Sequence, residues 1–377
     1  MFFKVLHKQK NSLARTGELV TPHGIIQTPV FMPVATSGAV KTLFPWEVQE
    51  LGAEIILGNT YHLHLRPGAG HIAEAGGFAK WTQWNGPVLT DSGGYQAYSL
   101  GATRAKTAKT TNDGVRFYSH LDGGKHEFTP ESVLDIQRKL GSDIVMPLDD
   151  CPPIEATEKR VQSAVIRTTN WARRSTDYWQ QQKMGESGRG LFGIIQGGLF
   201  EDLRLQSTRE IQDLPFDGIA VGGVAIASEG KDKINKAVDY VANHLDPSRP
   251  HYLMGIGYPE DIIRMVARGF DMFDCVLPTR LARHGVFWTE ALGQFNIMNS
   301  SFRNDRSPLD TECGCRMCKT FTRDYLRHLY ATGETLAGRA LSYHNLWVIL
   351  RLMERVRSCI KEGNFDVEFQ SVLNAPR

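Results

Sequence analysis

Short apolar runs recur along the chain, and each of them ends in a polar or glycine-rich turn. Eight such runs are present, at residues 31–38, 54–60, 87–94, 143–150, 191–198, 218–223, 251–257 and 272–280. Each run is short and almost continuously hydrophobic, as are strands that a parallel sheet buries on both faces. The pattern therefore predicts eight buried parallel strands.

Amphipathic stretches typical of helices separate most of these runs. The clearest covers residues 129–141, which begin with Thr-Pro, a favourable N-cap and first helical residue, and end in glycine. Similar stretches cover residues 157–179 and 259–269. Strands that alternate with helices favour an α/β fold, and eight such units predict a (β/α)8 TIM barrel, which we assign to residues 1–300.

The alternation ends near residue 300, and a cluster of three cysteines and a later histidine follows. Three thiolates and one imidazole make a closed tetrahedral zinc site with no open position for catalysis. The alternative is a set of free cysteines beside an unrelated histidine. We predict an inserted zinc-binding subdomain at residues 301–345, with one structural Zn²⁺ per subunit, and a C-terminal helical segment at residues 346–377 that closes the barrel. The predicted ligands are Cys313, Cys315, Cys318 and His344.

Composition and charge narrow the classes of protein further. Hydrophobic residues make up 41% of the chain, which is enough for a sizeable core and excludes a disordered chain. The formal net charge is only +2, so nucleic-acid binding requires a local basic patch. No apolar run approaches 18 residues, and we expect no membrane-spanning helix. Cysteines that crowd into a metal-binding pattern indicate a reducing compartment, so we predict a cytoplasmic protein.

Polar side chains stand at the ends of nearly all the predicted strands. In a TIM barrel these ends form one mouth, where active sites lie. Two carboxylates among Asp91, Asp149 and Asp274 would suit a glycosidic displacement, one as nucleophile and one as acid/base. The carboxamides of Asn59 and Gln196 suit a ligand with amide-like edges, such as a purine. A single aspartate after a strand is more often a helix cap or turn former, and only the recurrence favours a site.

The chain resembles the bacterial tRNA-guanine transglycosylases in a series of motifs. These are TDSGGYQAYSL, DIVMPLDDC, GIIQGG, AVGG, HYLMGIG and FDCVLPTRLARHG, followed by CxCxxC and SYHN, in the family's order and spacing. The resemblance implies a (β/α)8 barrel with a zinc subdomain, in agreement with the strand count. It also implies exchange of the wobble guanine of GUN-anticodon tRNAs for 7-aminomethyl-7-deazaguanine, a queuosine precursor, by double displacement.

The resemblance implies a role for individual residues. Asp274 would attack the ribose anomeric carbon and form a covalent RNA–enzyme intermediate, while Asp91 would act as general acid/base. The incoming base would be bound by Asp149, Gln196, Gly223, Tyr95, Met254, Ser92 and Val224, with Tyr95 and Met254 on the two faces of its ring. The tRNA anticodon loop would be contacted by Arg280, Arg283 and His284, and its phosphates by Arg316, Lys319, Arg323 and Arg327.

Two departures from the family pattern leave alternatives open. The loop after Gly223 is one residue longer than in the bacterial family, so the register of residues 224–229 is open, and with it the choice between the precursor and queuine as incoming base. Asp150 stands where the family commonly has glutamate. A non-catalytic RNA-binding paralogue is a further alternative, which the presence of Asp91 and Asp274 disfavours. An archaeal-type D-loop enzyme is expected to need an extra C-terminal RNA-binding module, for which the roughly 33 residues after His344 are too few. An unrelated zinc-stapled barrel hydrolase is the last alternative.

An aromatic stripe bears on assembly. Phe321, Tyr325 and His328 are spaced as one face of a helix. The stripe either packs on the chain's own barrel or forms part of a subunit interface. The family resemblance implies the second, a two-fold homodimer in which Trp81 of the other subunit contacts the stripe.

Overall fold

Eight parallel strands close into a barrel in the computed structural model of the chain, which describes residues 2–97, 99, 108–224 and 231–375. Each strand pairs with the next, and the eighth pairs with the first. The predicted TIM barrel is therefore confirmed. We number as strands 1 to 8 Val30–Ala35, Ile56–Gly58, Val88–Thr90, Ile144–Val145, Gly190–Ile195, Gly218–Val221, His251–Leu253 and Met272–Cys275.

Helices follow every strand and surround the barrel. Thr129 caps the helix after strand 3, since its Oγ1 accepts a hydrogen bond from the Ser132 N–H at 3.2 Å, and Gly141 ends it at a φ of 77°. Strand 1 is followed by Pro45–Glu50, and strand 2 by Thr60–Leu65, Ala69–Glu74 and Phe78–Thr82. Strand 3 is followed by Pro130–Leu140, strand 4 by Glu158–Gln181 and the 3₁₀ turn Met184–Ser187, and strand 5 by Glu201–Gln212. Strands 6 to 8 are followed by Lys231–Ala242, Pro259–Ala267 and Leu277–Arg283.

Alternate side chains of the strands point inward and fill the barrel. The inner cluster includes Val30, Met32, Leu57, Leu89, Ile144, Met146, Phe192, Ile194, Ala220, Tyr252 and Met272. Their sequence neighbours, such as Phe273, pack instead against the surrounding helices. Because side chains alternate along a strand, Asp274 has the same inward orientation as Met272, two residues before it. The alternation therefore brings its carboxyl group to the open end of the filled barrel.

An antiparallel sheet that was not predicted from the sequence closes the opposite end of the barrel. Its strands are Phe2–Lys8, Arg15–Thr21 and Gly24–Thr28. Leu19 and Ile26 of this sheet join the inner cluster of the barrel. Beside them, the buried Arg15 donates to both carboxyl oxygens of Asp271, at 3.0 and 2.6 Å. The sheet thus seals the N-terminal ends of the strands and leaves a single mouth.

A second antiparallel sheet interrupts the barrel between strand 3 and its helix. It consists of Lys109–Thr110, Val115–Tyr118 and Lys125–Phe128. Phe117 and Phe128 are the buried phenylalanines of this sheet, and the ring of Phe117 contacts that of Tyr61 on the helix Thr60–Leu65. This sheet was not predicted either, because its strands are short and carry few apolar residues.

A small subdomain follows the eighth strand and is held by one long helix. It contains the hairpin Val286–Trp288 and Gln294–Asn296, the 3₁₀ turn Ser300–Phe302 and the helices Arg316–Thr320 and Arg323–Ala331. Phe287, Ile297, Phe302 and Leu326 are among the residues of its own core. The hairpin therefore packs with the region that we predicted as the subdomain.

The long helix Thr335–Glu362 runs from the subdomain to the barrel, where it contacts strand 1 and the N-terminal sheet. The predicted boundary after residue 345 falls inside this helix, and the short helices Phe365–Glu368 and Gln370–Leu373 follow it. Within the described part of the chain, no helix is both long enough and apolar enough to cross a membrane.

Candidate active site

The ends of four strands bring a connected set of polar groups to the mouth. Asp91 follows strand 3, Asp149 follows strand 4, Gln196 follows strand 5 and Asp274 lies on strand 8. Asp149 is buried, and its two oxygens accept hydrogen bonds from the Gln196 Nε2, at 2.8 Å, and from the Ser92 Oγ, at 3.2 Å. The structure therefore places the predicted base-binding residues from strands 3, 4 and 5 in one hydrogen-bonded group.

Asp274 is held through one of its two carboxyl oxygens. The Tyr252 hydroxyl donates to Oδ1 at 2.6 Å, and the Gly255 N–H donates to the same oxygen at 2.8 Å. In the described ranges no donor reaches Oδ2. Burial raises the pKa of Asp274, and these two hydrogen bonds oppose that rise because they stabilise the carboxylate. The arrangement fixes one oxygen and leaves the other with a lone pair available for attack.

Asp91 is held by the segment that follows strand 2. The Asn59 side chain donates to Oδ2 at 2.5 Å, and the Thr60 N–H donates to Oδ1 at 2.8 Å. Burial raises the pKa of Asp91 to about 7; the charges of Asp274 and Asp149 add to the rise, whereas the hydrogen bond from Thr60 opposes it. A carboxyl group with this pKa is populated in both protonation states at neutral pH, which is the requirement for acid and base catalysis.

Gln196 and Gly223 are in close contact beside Asp149. Burial raises the pKa of Asp149 to about 6, so this carboxyl is mostly ionised at neutral pH. The Gln196 Oε1 is buried and has no hydrogen-bond donor among the described residues. A Cβ on Gly223 would lie 2.6 Å from this oxygen, and the φ of Gly223 is +71°, so only glycine fits. The pocket wall thus carries two hydrogen-bond acceptors, the ionised Asp149 and the neutral Gln196 Oε1.

The remaining predicted base contacts differ in exposure. Tyr95 is 40% exposed at the mouth, and Met254 is partly buried against the inner cluster of the barrel. Val224 is only 1% exposed and belongs to the main core, so its side chain packs within the protein. The question of the register of the loop at residues 225–229 lies outside the described residues.

Asp150, the aspartate in place of the family's glutamate, is directed to another element. It accepts hydrogen bonds from Arg160, at 2.8 and 2.7 Å, and from Arg167, both on the helix Glu158–Gln181. Its neighbour Asp149 is the one that contacts Gln196. The ion pairs of Asp150 therefore anchor the backbone that presents Asp149.

The predicted tRNA contacts lie next to strand 8. Arg280 and Arg283 are exposed on the helix Leu277–Arg283, and His284 is exposed immediately after it. Arg323, by contrast, donates to Asp305 at 2.9 Å and to the Leu309 carbonyl. The guanidinium of Arg323 is thus bound within the subdomain, and its contact with phosphate stays a prediction.

The cysteine cluster has the dimensions of a tetrahedral metal site. The thiols of Cys313, Cys315 and Cys318 lie 3.7, 3.5 and 3.4 Å from the His344 Nδ1. All four atoms lie within 4.8 Å of one another. Metal–sulfur bonds of about 2.3 Å and metal–nitrogen bonds of about 2.0 Å at tetrahedral angles require an S···N separation of roughly 3.6 Å. The His344 Nε2 contacts the Trp288 carbonyl at 2.7 Å, which leaves Nδ1 for a metal.

The contacts of several residues of the site were not predicted from the sequence, including those of Asn59, whose carboxamide was expected to suit a purine-like ligand. Tyr252 holds Asp274, and Asn59 and Thr60 hold Asp91. Tyr252 occupies an inward position of a barrel strand two residues before Met254, and that pattern was a usable signal. The contacts of Asn59 and Thr60 depend on how strands 2 and 3 are aligned, which the sequence alone does not specify.

Comparison with known proteins gives one consistent result. A family model described as Queuine tRNA-ribosyltransferase matches residues 9–376. Proteins named Queuine tRNA-ribosyltransferase from Dictyoglomus turgidum and Caldanaerobacter subterraneus are 47% and 46% identical, over 97% and 98% of this chain and 92% and 95% of their own. The protein of that name from Solidesulfovibrio magneticus is 48% identical over 93% of this chain and 92% of its own. Together with the barrel, its carboxylate mouth and the cysteine cluster, these matches show that the chain belongs to the queuine tRNA-ribosyltransferase family.

Proposed function

We propose that this protein is a tRNA-guanine transglycosylase that exchanges the wobble guanine of GUN-anticodon tRNAs for 7-aminomethyl-7-deazaguanine. The observation that carries the proposal is the meeting of three carboxyl groups with different hydrogen-bond partners at one mouth, where Asp149 is buried and Asp91 and Asp274 are partly buried. Family membership supports the same reaction class, because the relatives are named as tRNA-ribosyltransferases.

In the first displacement, Asp274 acts as the nucleophile. Its Oδ2 attacks the ribose anomeric carbon while the bond from that carbon to N9 of guanine breaks. Asp91 in its protonated form donates a proton to the departing base, which leaves as neutral guanine. The hydrogen bonds from Tyr252 and the Gly255 N–H keep Asp274 oriented during the attack.

In the second displacement the chemistry reverses. Ionised Asp91 accepts the proton from N9 of the incoming base, and N9 attacks the anomeric carbon. The ester bond to Asp274 breaks, and the carboxylate is regenerated. Two inversions leave the sugar configuration unchanged, and one glycosidic bond replaces another without an energy source.

The base is bound by groups that surround Asp149. Ionised Asp149 accepts hydrogen bonds from the N–H groups of a guanine-like edge, and the unsatisfied Gln196 Oε1 accepts another. The Gly223 N–H donates to a base oxygen. Tyr95 and Met254 cover the two faces of the ring, and the Ser92 hydroxyl orients Asp149. The acceptor that guanine and its 7-deaza analogues share on this edge is the six-position carbonyl oxygen. We therefore assign this oxygen as the acceptor of the hydrogen bond from the Gly223 N–H.

Queuine as the incoming base is the second candidate. The observation that leaves room for it is the extra residue in the loop after Gly223. Direct competition between the precursor and queuine in guanine-exchange assays separates the two. A non-catalytic RNA-binding role would require that Asp91 and Asp274 be dispensable.

The tRNA is bound by exposed basic residues beside the nucleophile. Arg280, Arg283 and His284 are placed to contact nucleotides next to the flipped base. The cysteine cluster would hold Zn²⁺ through Cys313, Cys315, Cys318 and His344, where the saturated site supplies structural support. Because the reaction requires tRNA and none of the six cysteines forms a disulfide, we propose a cytoplasmic location.

A homodimer completes the proposal. Tyr325 is 41% exposed, its ring contacts that of Phe321 at 5.5 Å between centroids, and His328 is exposed on the same helix. Phe321 itself precedes the helix Arg323–Ala331. Trp81, the proposed partner across the interface, is partly buried against Gly38 of its own chain. These aromatic side chains support an isologous contact.

Replacing Asp274 by asparagine should abolish the covalent RNA adduct and lower guanine exchange by roughly 10⁴-fold or more. Asparagine keeps an oxygen that accepts from Tyr252, so the geometry is retained while the nucleophile is lost. The measurements are labelled guanine exchange into tRNA and denaturing gel electrophoresis of the adduct. Asp143→Asn, at the closed end of the barrel, is the matched control. A gel-stable adduct in Asp274→Asn would place the nucleophile elsewhere.

The protonation state of Asp91 should give kcat/KM for tRNA and kcat/KM for the incoming base opposite dependences on pH. The protonated acid is needed for guanine to leave, so kcat/KM for tRNA should fall as pH rises through about 7. The ionised base is needed in the second step, so kcat/KM for the incoming base should fall at low pH. The midpoint of that second fall should lie below 7, because the ester removes the charge of Asp274 that raises the pKa of Asp91.

Asp91→Asn should lower turnover by about 10²–10⁴-fold and should remove the pH dependence of kcat/KM for both substrates. Its affinity for tRNA should be retained. Initial rates measured from pH 5 to pH 9 with each substrate varied in turn test this expectation. Parallel pH profiles for the two substrates in the parent would remove Asp91 from the mechanism.

Replacing Cys315 by serine should unfold the subdomain and weaken tRNA binding. A structural zinc ion contributes of the order of 10 kcal/mol to the folding of a small domain. Limited proteolysis of residues 301–345 and tRNA affinity are the measurements, and Cys359→Ser, a buried cysteine outside the cluster, is the control. Exchange of zinc for cobalt should leave the pH profile of the reaction unchanged. A profile that shifted with the metal would contradict a structural role.

Replacing Tyr325 by alanine should raise the monomer fraction. A truncated aromatic anchor at an interface commonly costs about 2 kcal/mol or more. Sedimentation velocity at micromolar concentration measures the effect, and Tyr118→Ala, an exposed tyrosine on the inserted sheet, is the matched control. A parent that sediments as a monomer, or a variant as dimeric as the parent, would show that the aromatic side chains belong to the monomer surface.

A further inference from the structure

A fully buried arginine lies directly behind the base pocket. Arg204, on the helix Glu201–Gln212 after strand 5, has 0% exposure. Its guanidinium donates to three backbone carbonyls: Nε to Gly198 at 2.9 Å, and Nη1 to Ile195 at 3.3 Å and to Gly222 at 2.9 Å. In the parts of the chain that are described, it forms no ion pair. Removing a guanidinium charge from water costs free energy even when carbonyl oxygens accept its hydrogen bonds, so the burial of Arg204 requires a reason beyond packing.

The contact with Gly222 determines how the next amide is oriented. The Gly222–Gly223 peptide is planar and trans, so its C=O and its N–H point in opposite directions. Arg204 binds the C=O from behind the pocket. The Gly223 N–H is therefore directed away from Arg204, and no acceptor for it is present among the described residues. The side chain of Gln196 lies over the same peptide, since a Cβ on either glycine would come within 2.8 Å of its amide atoms.

We propose that Arg204 is a positioning residue that fixes and polarises the Gly222–Gly223 peptide for hydrogen bonding to the six-position carbonyl of the base. A charged donor on a peptide oxygen withdraws electrons from the amide, which makes the N–H at its other end a stronger donor. The inference rests on the proposed function, in which Gly223 donates to that carbonyl. Arg204 itself does not touch the base.

The surroundings of Arg204 match this role. Gly197 has a φ of +139°, and a Cβ there would lie 2.7 Å from the Arg204 backbone nitrogen, so the turn after strand 5 is fitted closely to this helix. The guanidinium thereby ties the ends of strands 5 and 6 together at the point where Gln196 and Gly223 face the pocket. A residue that only filled space here would need neither the charge nor three directed donors.

The test compares two bases that differ at the six position. Guanine carries a carbonyl there, whereas 6-thioguanine carries a thiocarbonyl, a poor hydrogen-bond acceptor, and keeps the same N–H donors. The dissociation constants of both bases are measured by calorimetry with the full-length zinc-loaded protein, without tRNA. The parent should prefer guanine. In Arg204→Met that preference should fall by roughly five- to tenfold, in addition to any common loss of affinity.

Arg357→Met is the matched control. Arg357 also donates to backbone carbonyls, those of Gln27 and Pro29, but it lies near the closed end of the barrel. Its replacement should leave the preference unchanged. Arg204→Lys, which keeps a buried cation with one donor group, should give a preference between those of the parent and Arg204→Met.

The outcomes separate this inference from the proposed function. If the parent binds neither base or does not prefer guanine, the proposed base contact itself is wrong. If the parent prefers guanine and a folded Arg204→Met weakens both bases equally, only the role of Arg204 is wrong. Should Arg204→Met fail to fold by circular dichroism, Arg204→Gln and Arg204→Lys are compared by the same ratio. If none of the three folds, Arg204 is a structural residue and the inference fails.

Discussion

The site depends on one constraint, the crowding of three carboxyl groups, one buried and two partly buried, within a single mouth. An apolar environment raises the pKa of each carboxyl group, and the hydrogen bonds donated to the carboxylate limit that rise. Asp274 receives two donors on one oxygen, Asp149 receives two side-chain donors, and Asp91 is surrounded by the charges of the other two. In the proposed reaction one residue type supplies the nucleophile, the acid/base group and the binding group, because the three side chains have different hydrogen-bond partners and charged neighbours.

The barrel could be predicted from the sequence because buried parallel strands have a distinctive pattern. Their ends also located Asp91, Asp149, Gln196 and Asp274, since every such end in this fold faces one mouth. The two three-stranded antiparallel sheets were missed for a related reason. Their strands, such as Phe2–Lys8 and Lys125–Phe128, consist mostly of exposed and partly buried residues and resemble loops when read one at a time.

The supporting residues of the site were harder to predict than the reactive ones. Arg204 looks like an ordinary charged residue on an amphipathic helix, and only the packing of that helix against strands 5 and 6 reveals its burial. Asn59 was noted as a polar strand end, yet its partner Asp91 follows a different strand. Such contacts depend on distances between segments that are remote in sequence, and no local pattern encodes them.

The long helix Thr335–Glu362 has a consequence for how the molecule can come apart. At about 1.5 Å per residue it is roughly 42 Å long, and it carries His344 in the metal cluster and Arg357 beside the N-terminal sheet. Because both ends belong to one rigid element, the subdomain cannot open as an independent unit while the barrel stays closed. Exchange of the subdomain between relatives would therefore have to include the helix that seals the first strand, so the two parts are constrained to change together.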